Sequence, residues 1–122
     1  MIIQQDETTA TYQINRYEPG KIWINQQAYD QSVIIRPHSL ATITPRQLSE
    51  LTVNDFSSLF EDLPQIFLLG TGSKLIIPPE ELLRPLFEKG IGVEFMDSKT
   101  ASYTFTVLAA EERNVAACIL VS

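Results

Sequence analysis

Two short polar turns, each of which follows an apolar segment, carry the residue types most able to bind a ligand. Residues 64–69 run into a Gly-Thr-Gly turn, and residues 90–96 run into an Asp-Ser pair. If both segments are parallel strands, the turns open at the same edge of one sheet, where ligands of open α/β sheets usually sit. Backbone N–H groups beside glycine can bind a small anion or the carboxylate of a partner protein. The sequence therefore predicts a ligand or partner edge formed by Gly70, Thr71, Gly72, Glu94, Asp97 and Ser98.

Each of these features also has a structural explanation. Two glycines suit a tight turn that needs positive φ, and this explanation is favoured over anion binding. Asp97 and Ser98 suit first of all the start of a helix. Glu94 is expected to be largely buried in its strand, where a carboxylate must be hydrogen-bonded, ion-paired or protonated. Lys99 and Arg113 are its candidate partners, and a functional and a structural role for Glu94 both stay open.

Complete catalytic sets are mostly excluded by composition. The chain has one histidine and one cysteine, too few for a zinc site of Cys and His ligands. His38 follows a proline in a predicted loop without a G-x-S-x-G motif, and Cys118 lies in an apolar segment typical of a buried, unreactive thiol. Residues 70–74 depart from a nucleotide-binding loop because their lysine does not follow a glycine directly. The sequence predicts no catalytic residue, no metal site and no cofactor, and it favours a protein that is not an enzyme.

Hydrophobic periodicity predicts antiparallel hairpins followed by an α/β region. The predicted elements are a hairpin of residues 12–17 and 21–24, a strand at 32–35, a helix from 52, a strand at 66–69, a helix from 78, a strand at 91–96, a helix at 98–112 and a strand at 115–121. Residues 40–51 stay open between a short strand at 41–44 and a helical turn. The predicted fold class is a single compact α/β domain over residues 1–122, in which a β-α-β-α-β unit forms a mixed sheet with helices packed on it. Residues 1–10 are expected to fray.

An aromatic face is the second candidate surface. Trp23 alternates with Ile22 and Ile24 and must therefore point to the opposite face of the hairpin. Packing against aromatic residues on neighbouring strands is the simpler explanation. The alternative is an exposed face for a partner, formed by Trp23 and Tyr29.

Charge and composition exclude several function classes. A net charge of −6 with scattered basic residues argues against a nucleic-acid backbone as partner, because such binding needs a basic stripe. A single cysteine fits a reducing compartment. The first residues lack a secretory signal, and no apolar run approaches the roughly 20 residues of a membrane span. The expectation is a cytoplasmic protein without nucleic-acid binding or membrane insertion.

Three motifs occur in order along the chain: LLGTG at 68–72, GIGVEFMDS at 90–98 and LAAEERNVAA at 108–117. Together they resemble the domain of unknown function 498 family, which includes the mitochondrial complex I assembly factor 3 and the adipogenesis-associated domain protein. The resemblance covers nearly the whole chain and implies a compact α/β domain with no established enzymatic activity. The chain departs from the family where members carry a Tyr-Asn pair, since Phe105 and Thr106 stand there. If that pair forms a polar site in the family, this chain has lost part of it.

The favoured hypothesis is a protein-interaction module with an unidentified protein partner, which by family analogy assists the assembly of a larger respiratory or membrane complex. The alternative is a small-ligand or anion-binding protein, or a minor enzyme, that uses the predicted edge at the strand ends. A homo-oligomer that associates through its hairpin face is a third interpretation.

Overall fold

The computed structural model describes residues 10–122. The predicted fraying of residues 1–10 lies, except for Ala10, outside this range. The helices and strands are β1 Ile14–Glu18, β2 Lys21–Ile24, β3 Gln27–Tyr29, β4 Ser32–Arg36, β5 Ser39–Ile43, α1 Ser57–Glu61, β6 Ile66–Gly70, α2 Glu80–Glu88, β7 Gly92–Met96, α3 Ser98–Ala110 and β8 Val115–Ile119. Two short 3-10 turns, Leu48–Glu50 and Val53–Phe56, precede α1.

The strands form two sheets. The smaller is the antiparallel meander β1-β2-β3. The larger has the order β5-β4-β8-β6-β7, in which β6 pairs in parallel with both β7 and β8, while β4 is antiparallel to β5 and β8. The predicted class is confirmed: N-terminal hairpins precede a β-α-β-α-β unit that completes a mixed sheet.

Strand β8 lies at the centre of the larger sheet and is buried throughout. Because side chains alternate along a strand, Ala116 and Cys118 enter one hydrophobic core, whereas Ala117 and Ile119 enter another. The first core lies under α1, α2 and the 3-10 turns, and the second under α3 and the smaller sheet. This two-sided burial explains why β8 is continuously apolar in sequence.

Phe105 lies in the second core, where it is fully buried on α3. Thr106 is exposed, and its hydroxyl donates to the Ser102 carbonyl at 2.9 Å. The departure from the family's Tyr-Asn pattern therefore places an apolar ring in the core and a hydroxyl on the helix surface.

The sequence did not predict strand β3, because the turn that precedes it lacks the usual turn residues. The turn before it is formed by Asn25 and Gln26, whose φ values of 51° and 71° are usually adopted by glycine. Side chains compensate, because Asn15 Oδ1 accepts from the Gln26 N–H at 2.6 Å and Asn25 Oδ1 accepts from the Gln13 N–H at 2.9 Å. A turn without glycine or proline gave no signal in the sequence.

The structure also defines three boundaries that the sequence left open or predicted. The open region 40–51 contains both alternatives, because β5 ends at Ile43 and a 3-10 turn follows it. The predicted helix start is confirmed at Thr52, whose N–H donates to the Asp55 carboxylate at 2.8 Å. Helix α3 ends two residues earlier than predicted, because Glu112 adopts a φ of 62° and turns the chain toward β8.

Candidate functional site

The carboxyl ends of β6 and β7 bring the two predicted turns together. The Thr71 N–H donates to the Met96 carbonyl at 2.8 Å, and the Ser98 N–H donates to the Gly72 carbonyl at 2.8 Å. The residues from Gly70 to Gly72 thus lie directly against the start of α3.

Ser98 is the centre of this junction. Its hydroxyl is buried, donates to the Leu120 carbonyl at 2.6 Å and accepts from the Gly72 N–H at 2.9 Å. Glycine at position 70 permits the close approach, because a Cβ there would lie 2.9 Å from the Ser98 hydroxyl oxygen. Ser98 therefore joins the turn after β6, the end of β8 and the first turn of α3.

Ser122 fills the space beside Gly72. Gly72 has a φ of +107°, and a Cβ there would lie 2.2 Å from Ser122 Oγ. The Ser122 carbonyl accepts from the Ser73 N–H at 2.9 Å and from the Tyr17 hydroxyl at 2.8 Å. These bonds tie the smaller sheet to the junction, a long-range contact for which the sequence offers no signal.

Thr71 shapes the loop that follows. Its buried hydroxyl donates to the Lys74 carbonyl at 2.6 Å and accepts from the Ile76 N–H at 3.1 Å. These two bonds fold residues 71–76 back over the end of β6, and the aliphatic side chains of the loop point outward.

Asp97 caps α3. Its carboxylate accepts from the Thr100 N–H at 2.8 Å and from the Thr100 hydroxyl at 2.9 Å. The backbone bond from Thr100 is the largest of several hydrogen bonds that hold the pKa of Asp97 below its ordinary value. Partial burial, and then the negative charge of Asp97, raise the pKa of the nearby Tyr17 hydroxyl.

The expectation that Glu94 is largely buried is wrong. Strand β7 lies at the edge of the larger sheet, with β6 as its single strand neighbour in residues 10–122, and the Glu94 side chain is exposed on it. The ion pairs found in that range join Arg16 to Glu18 and Arg84 to Glu80, so neither suggested partner of Glu94 is used.

The chemistry available at the predicted ligand edge is limited by the chain's own hydrogen bonds. The Gly72 N–H, the Ser98 hydroxyl and the Asp97 carboxylate each already have partners within the protein. An anion at the Gly72 N–H would have to replace Ser98, whose hydroxyl is buried. A ligand at this edge stays a prediction, and the geometry itself is accounted for by packing.

Trp23 and Tyr29 do not form one face, contrary to the second prediction. Tyr29 lies opposite Ile22, on the inner side of the smaller sheet, and packs against the second core. Trp23 alternates with Ile22 and therefore lies on the outer side, where the Arg16 guanidinium stacks 4.6 Å from its ring centroid. The tryptophan is thus packed by a neighbouring side chain on the sheet surface.

His38 and Cys118, the other residues considered for catalysis, both lie where packing or hydrogen bonding within the protein accounts for them. His38 lies in the turn between β4 and β5, with Nδ1 2.7 Å from the Thr11 hydroxyl oxygen. Cys118 is buried, and burial raises the pKa of its thiol far above the ordinary value. Within residues 10–122, no group of three His, Cys, Asp or Glu side chains is arranged to hold a metal ion.

An open cleft of about 540 Å³ lies near the amino ends of β6 and β8, at the opposite end of the strands from the two predicted turns, beside His38 and Arg113. Arg36 lines it and is held in place, because its guanidinium donates to the Asp62 carbonyl and, at 3.0 Å, to Asn114 Oδ1. The charged side chains around the cleft have both signs. This arrangement anchors the end of β4 and has no single-sign field for a charged ligand.

The sequence analysis missed a third surface, the free side of β7. Phe95 on this strand is 37% exposed. Leu75 and Ile77, in the loop that follows β6, are 59% and 77% exposed, and Phe87, near the end of α2 and before β7, is 51% exposed. Phe87 belongs to α2, and the Gly90 N–H donates to its carbonyl at 2.9 Å, so the end of α2 lies beside the start of β7. Exposed apolar side chains therefore lie on the edge strand β7, at the helix end before it and in the loop after β6.

Within residues 10–122, none of the helices is both long enough and apolar enough to cross a membrane.

The chain is similar to known proteins in both sequence and fold. The family described as protein of unknown function (DUF498/DUF598) matches residues 14–120. The 13 kDa major membrane protein of Francisella tularensis is 27% identical over 123 residues, which cover 99% of this chain and 99% of that protein. The NADH dehydrogenase (ubiquinone) 1 alpha subcomplex assembly factor 3 of Danio rerio is 30% identical over 120 residues, which cover 97% of this chain and 69% of that protein. A crystal structure of a Bordetella parapertussis protein superposes with a TM-score of 0.85 at 28% identity, covering 93% of this chain and 98% of that one.

Proposed function

Because the chain belongs to the DUF498/DUF598 family of proteins of unknown function, in which one relative is named as an assembly factor, we propose that it is a non-enzymatic module that binds another protein. By the same analogy, it assists the assembly of a larger respiratory or membrane complex. The partner is a protein other than a second copy of this chain.

One structural observation supports this proposal: the apolar side chains exposed on β7, at the end of α2 and in the loop after β6. Ile77 is 77% exposed in a loop whose backbone is fixed by the buried Thr71 hydroxyl. Leu75 and Phe87 are each more than half exposed. Large aliphatic and aromatic side chains held outward, of which Phe95 lies on an edge strand, are typical of a protein-binding surface.

The alternative, a small-ligand site or minor enzyme at the strand ends, has less support. It needs unpaired polar groups that converge on a ligand. Gly72, Asp97 and Ser98 instead hydrogen-bond within the protein.

A cytoplasmic location is part of the proposal. The protein would meet a membrane complex through protein contacts, and one relative is itself named a membrane protein. Cell fractionation tests this point: the proposal expects the protein in the soluble fraction, or released from membranes by salt or carbonate. Release only by detergent would contradict it.

The experiment for the proposed function is quantitative affinity capture from the native cell, compared between wild type and two variants. Ile77→Asp places a charge in the proposed surface, whereas Tyr103→Asp alters another exposed residue, on α3. Both sites are exposed, so folding stability should change by no more than about 0.5 kcal/mol. We expect a protein that wild type and Tyr103→Asp enrich equally and that Ile77→Asp loses. No enrichment by wild type would overturn the proposed function.

A further inference from the structure

We propose that the free edge of β7 binds an extended, basic segment of the partner protein, which adds a sixth strand to the five-stranded sheet. This inference rests on the proposed function and names the surface and the chemistry of the segment it recognises.

Among residues 10–122, no strand pairs with the outer side of β7, and the backbone groups on that side follow a defined pattern. The Gly92 N–H donates to the Gln65 carbonyl at 2.9 Å, and the Met96 carbonyl accepts from the Thr71 N–H at 2.8 Å. Because backbone groups alternate in direction along a strand, the groups of residues 92, 94 and 96 face β6. The N–H and C=O groups of Val93 and Phe95 therefore face outward, and together they offer two donors and two acceptors to an added strand.

The two faces of β7 differ in character. Val93 and Phe95 lie opposite Phe67 and Leu69 of β6, on the face covered by α2. Glu94 lies opposite Leu68, on the other face, where it is exposed. The best-matched added strand would therefore have apolar side chains on the face of Phe95. On the other face, one of its residues would lie beside the Glu94 carboxylate.

Charge complementarity selects the residue opposite Glu94. In an antiparallel pair, residues that do not exchange hydrogen bonds across the ladder have Cα atoms about 4.5 Å apart, closer than the bonded pairs. Glu94 would occupy such a position, because its backbone groups face β6. A lysine or arginine there would be favoured and an acidic residue disfavoured, and the net charge of −6 also favours a basic partner.

A second copy of the chain is a poorer occupant for the same reason. Two β7 strands paired antiparallel over all five residues would place Glu94 directly opposite Glu94 of the other copy. Like charges in such a close pair are destabilising. Glu94 thus disfavours self-association at an edge that would otherwise be open to it.

The test is a titration of the isotope-labelled protein, followed by NMR, with two matched synthetic peptides. Both are short, extended peptides in which Val alternates with Thr, and the central residue is Lys in one and Glu in the other. We expect chemical-shift changes concentrated at Val93 and Phe95, and tighter binding of the Lys peptide by about two- to thirty-fold. In Glu94→Lys the preference should reverse. Equal affinity of the two peptides, or shift changes confined to other elements, would overturn the inference.

A second comparison separates the backbone edge from the side chain. Phe95→Ala removes the ring and keeps the outward N–H, whereas Phe95→Pro removes both without touching a hydrogen bond to β6. We expect Phe95→Pro to abolish peptide binding and Phe95→Ala to retain it in weakened form. Amide exchange of the free protein is the internal check, with Val93 and Phe95 exchanging faster than Glu94 and Met96.

Affinity capture with the same pair of variants distinguishes the two proposals. If wild type and Phe95→Pro capture a partner equally, the strand-addition inference fails and the proposed function stands. If wild type captures no partner, the proposed function fails. A dimer in sedimentation experiments that becomes monomeric in Phe95→Pro would show that a second copy occupies the edge, which also overturns the inference.

Discussion

Replacing Ser98 with alanine should lower the free energy of unfolding by more than the loss of a single hydroxyl usually does. The variant removes two buried hydrogen bonds, from the Ser98 hydroxyl to the Leu120 carbonyl and from the Gly72 N–H to Ser98 Oγ. It leaves the Gly72 N–H and the Leu120 carbonyl without these partners in a region where water has no access to Ser98. Two lost bonds, each costing about 1–2 kcal/mol when a buried group is left unpaired, predict a loss of about 2–4 kcal/mol in the free energy of unfolding.

Ser102 provides the matched control. It lies one turn later on the same helix and is also buried. Its hydroxyl donates to the Ser98 carbonyl at 2.8 Å and accepts no hydrogen bond from residues 10–122. Ser102→Ala should therefore cost at most about 1 kcal/mol, since alanine also favours the helix. Urea unfolding monitored by circular dichroism measures both values. A loss for Ser98→Ala below about 1 kcal/mol, or equal to that of Ser102→Ala, would refute the role assigned to this junction.

Three further predictions concern backbone geometry, pH and thiol reactivity. Gly20→Ala, which has a positive φ and open space, should cost about 1 kcal/mol by urea unfolding, and Gly72→Ala, which has a similar φ, should cost more because the Ser122 side chain must also move. Asp97→Ala should lose a helix cap worth about 1 kcal/mol at neutral pH. Because folding lowers the pKa of Asp97, the cap stabilises the protein fully above the unfolded-state pKa and progressively less as pH falls through the folded-state pKa. The free energies of unfolding of wild type and Asp97→Ala should therefore converge below about pH 4. The Cys118 thiol should resist Ellman's reagent in the folded protein and react rapidly in urea, because it is buried and its pKa is raised.

Each of these predictions has a clear contrary result. Equal costs for the two glycine variants would remove the steric role of Ser122. A stability difference between wild type and Asp97→Ala that persists unchanged to pH 3 would contradict the assigned cap. Rapid, stoichiometric labelling of Cys118 without denaturant would show that the central strand is accessible.

The sequence was sufficient for those parts of the fold that depend on local pattern. Strand β8 was predicted because both of its faces are buried, which gives an unbroken apolar run. The start of the helical region at Thr52 was predicted because Asp55 lies three residues later. Strand β3 was missed because left-handed conformations at Asn25 and Gln26 replace the glycine that usually marks such a turn.

The candidate site was less predictable because it depends on strand order and on contacts between distant residues. The sequence placed Glu94 in a strand, but only the order of the strands shows that this strand is an edge and that the carboxylate is exposed. The filling of the glycine turns depends on Ser122, which also binds Tyr17 from the other end of the chain. The exposed aliphatic loop had no recognisable motif, since its orientation follows from the two hydrogen bonds of Thr71.

Site-specific photo-crosslinking in the native cell is the most direct test of the central claim, that the apolar surface formed by β7, the end of α2 and the loop after β6 binds a protein partner. A benzophenone side chain would be introduced at position 77 and, as control, at position 103, since both sites are more than 70% exposed. The proposal predicts a discrete crosslinked protein from position 77 that position 103 does not yield. Crosslinks that are equally frequent and heterogeneous from both positions, or absent from position 77, would contradict it.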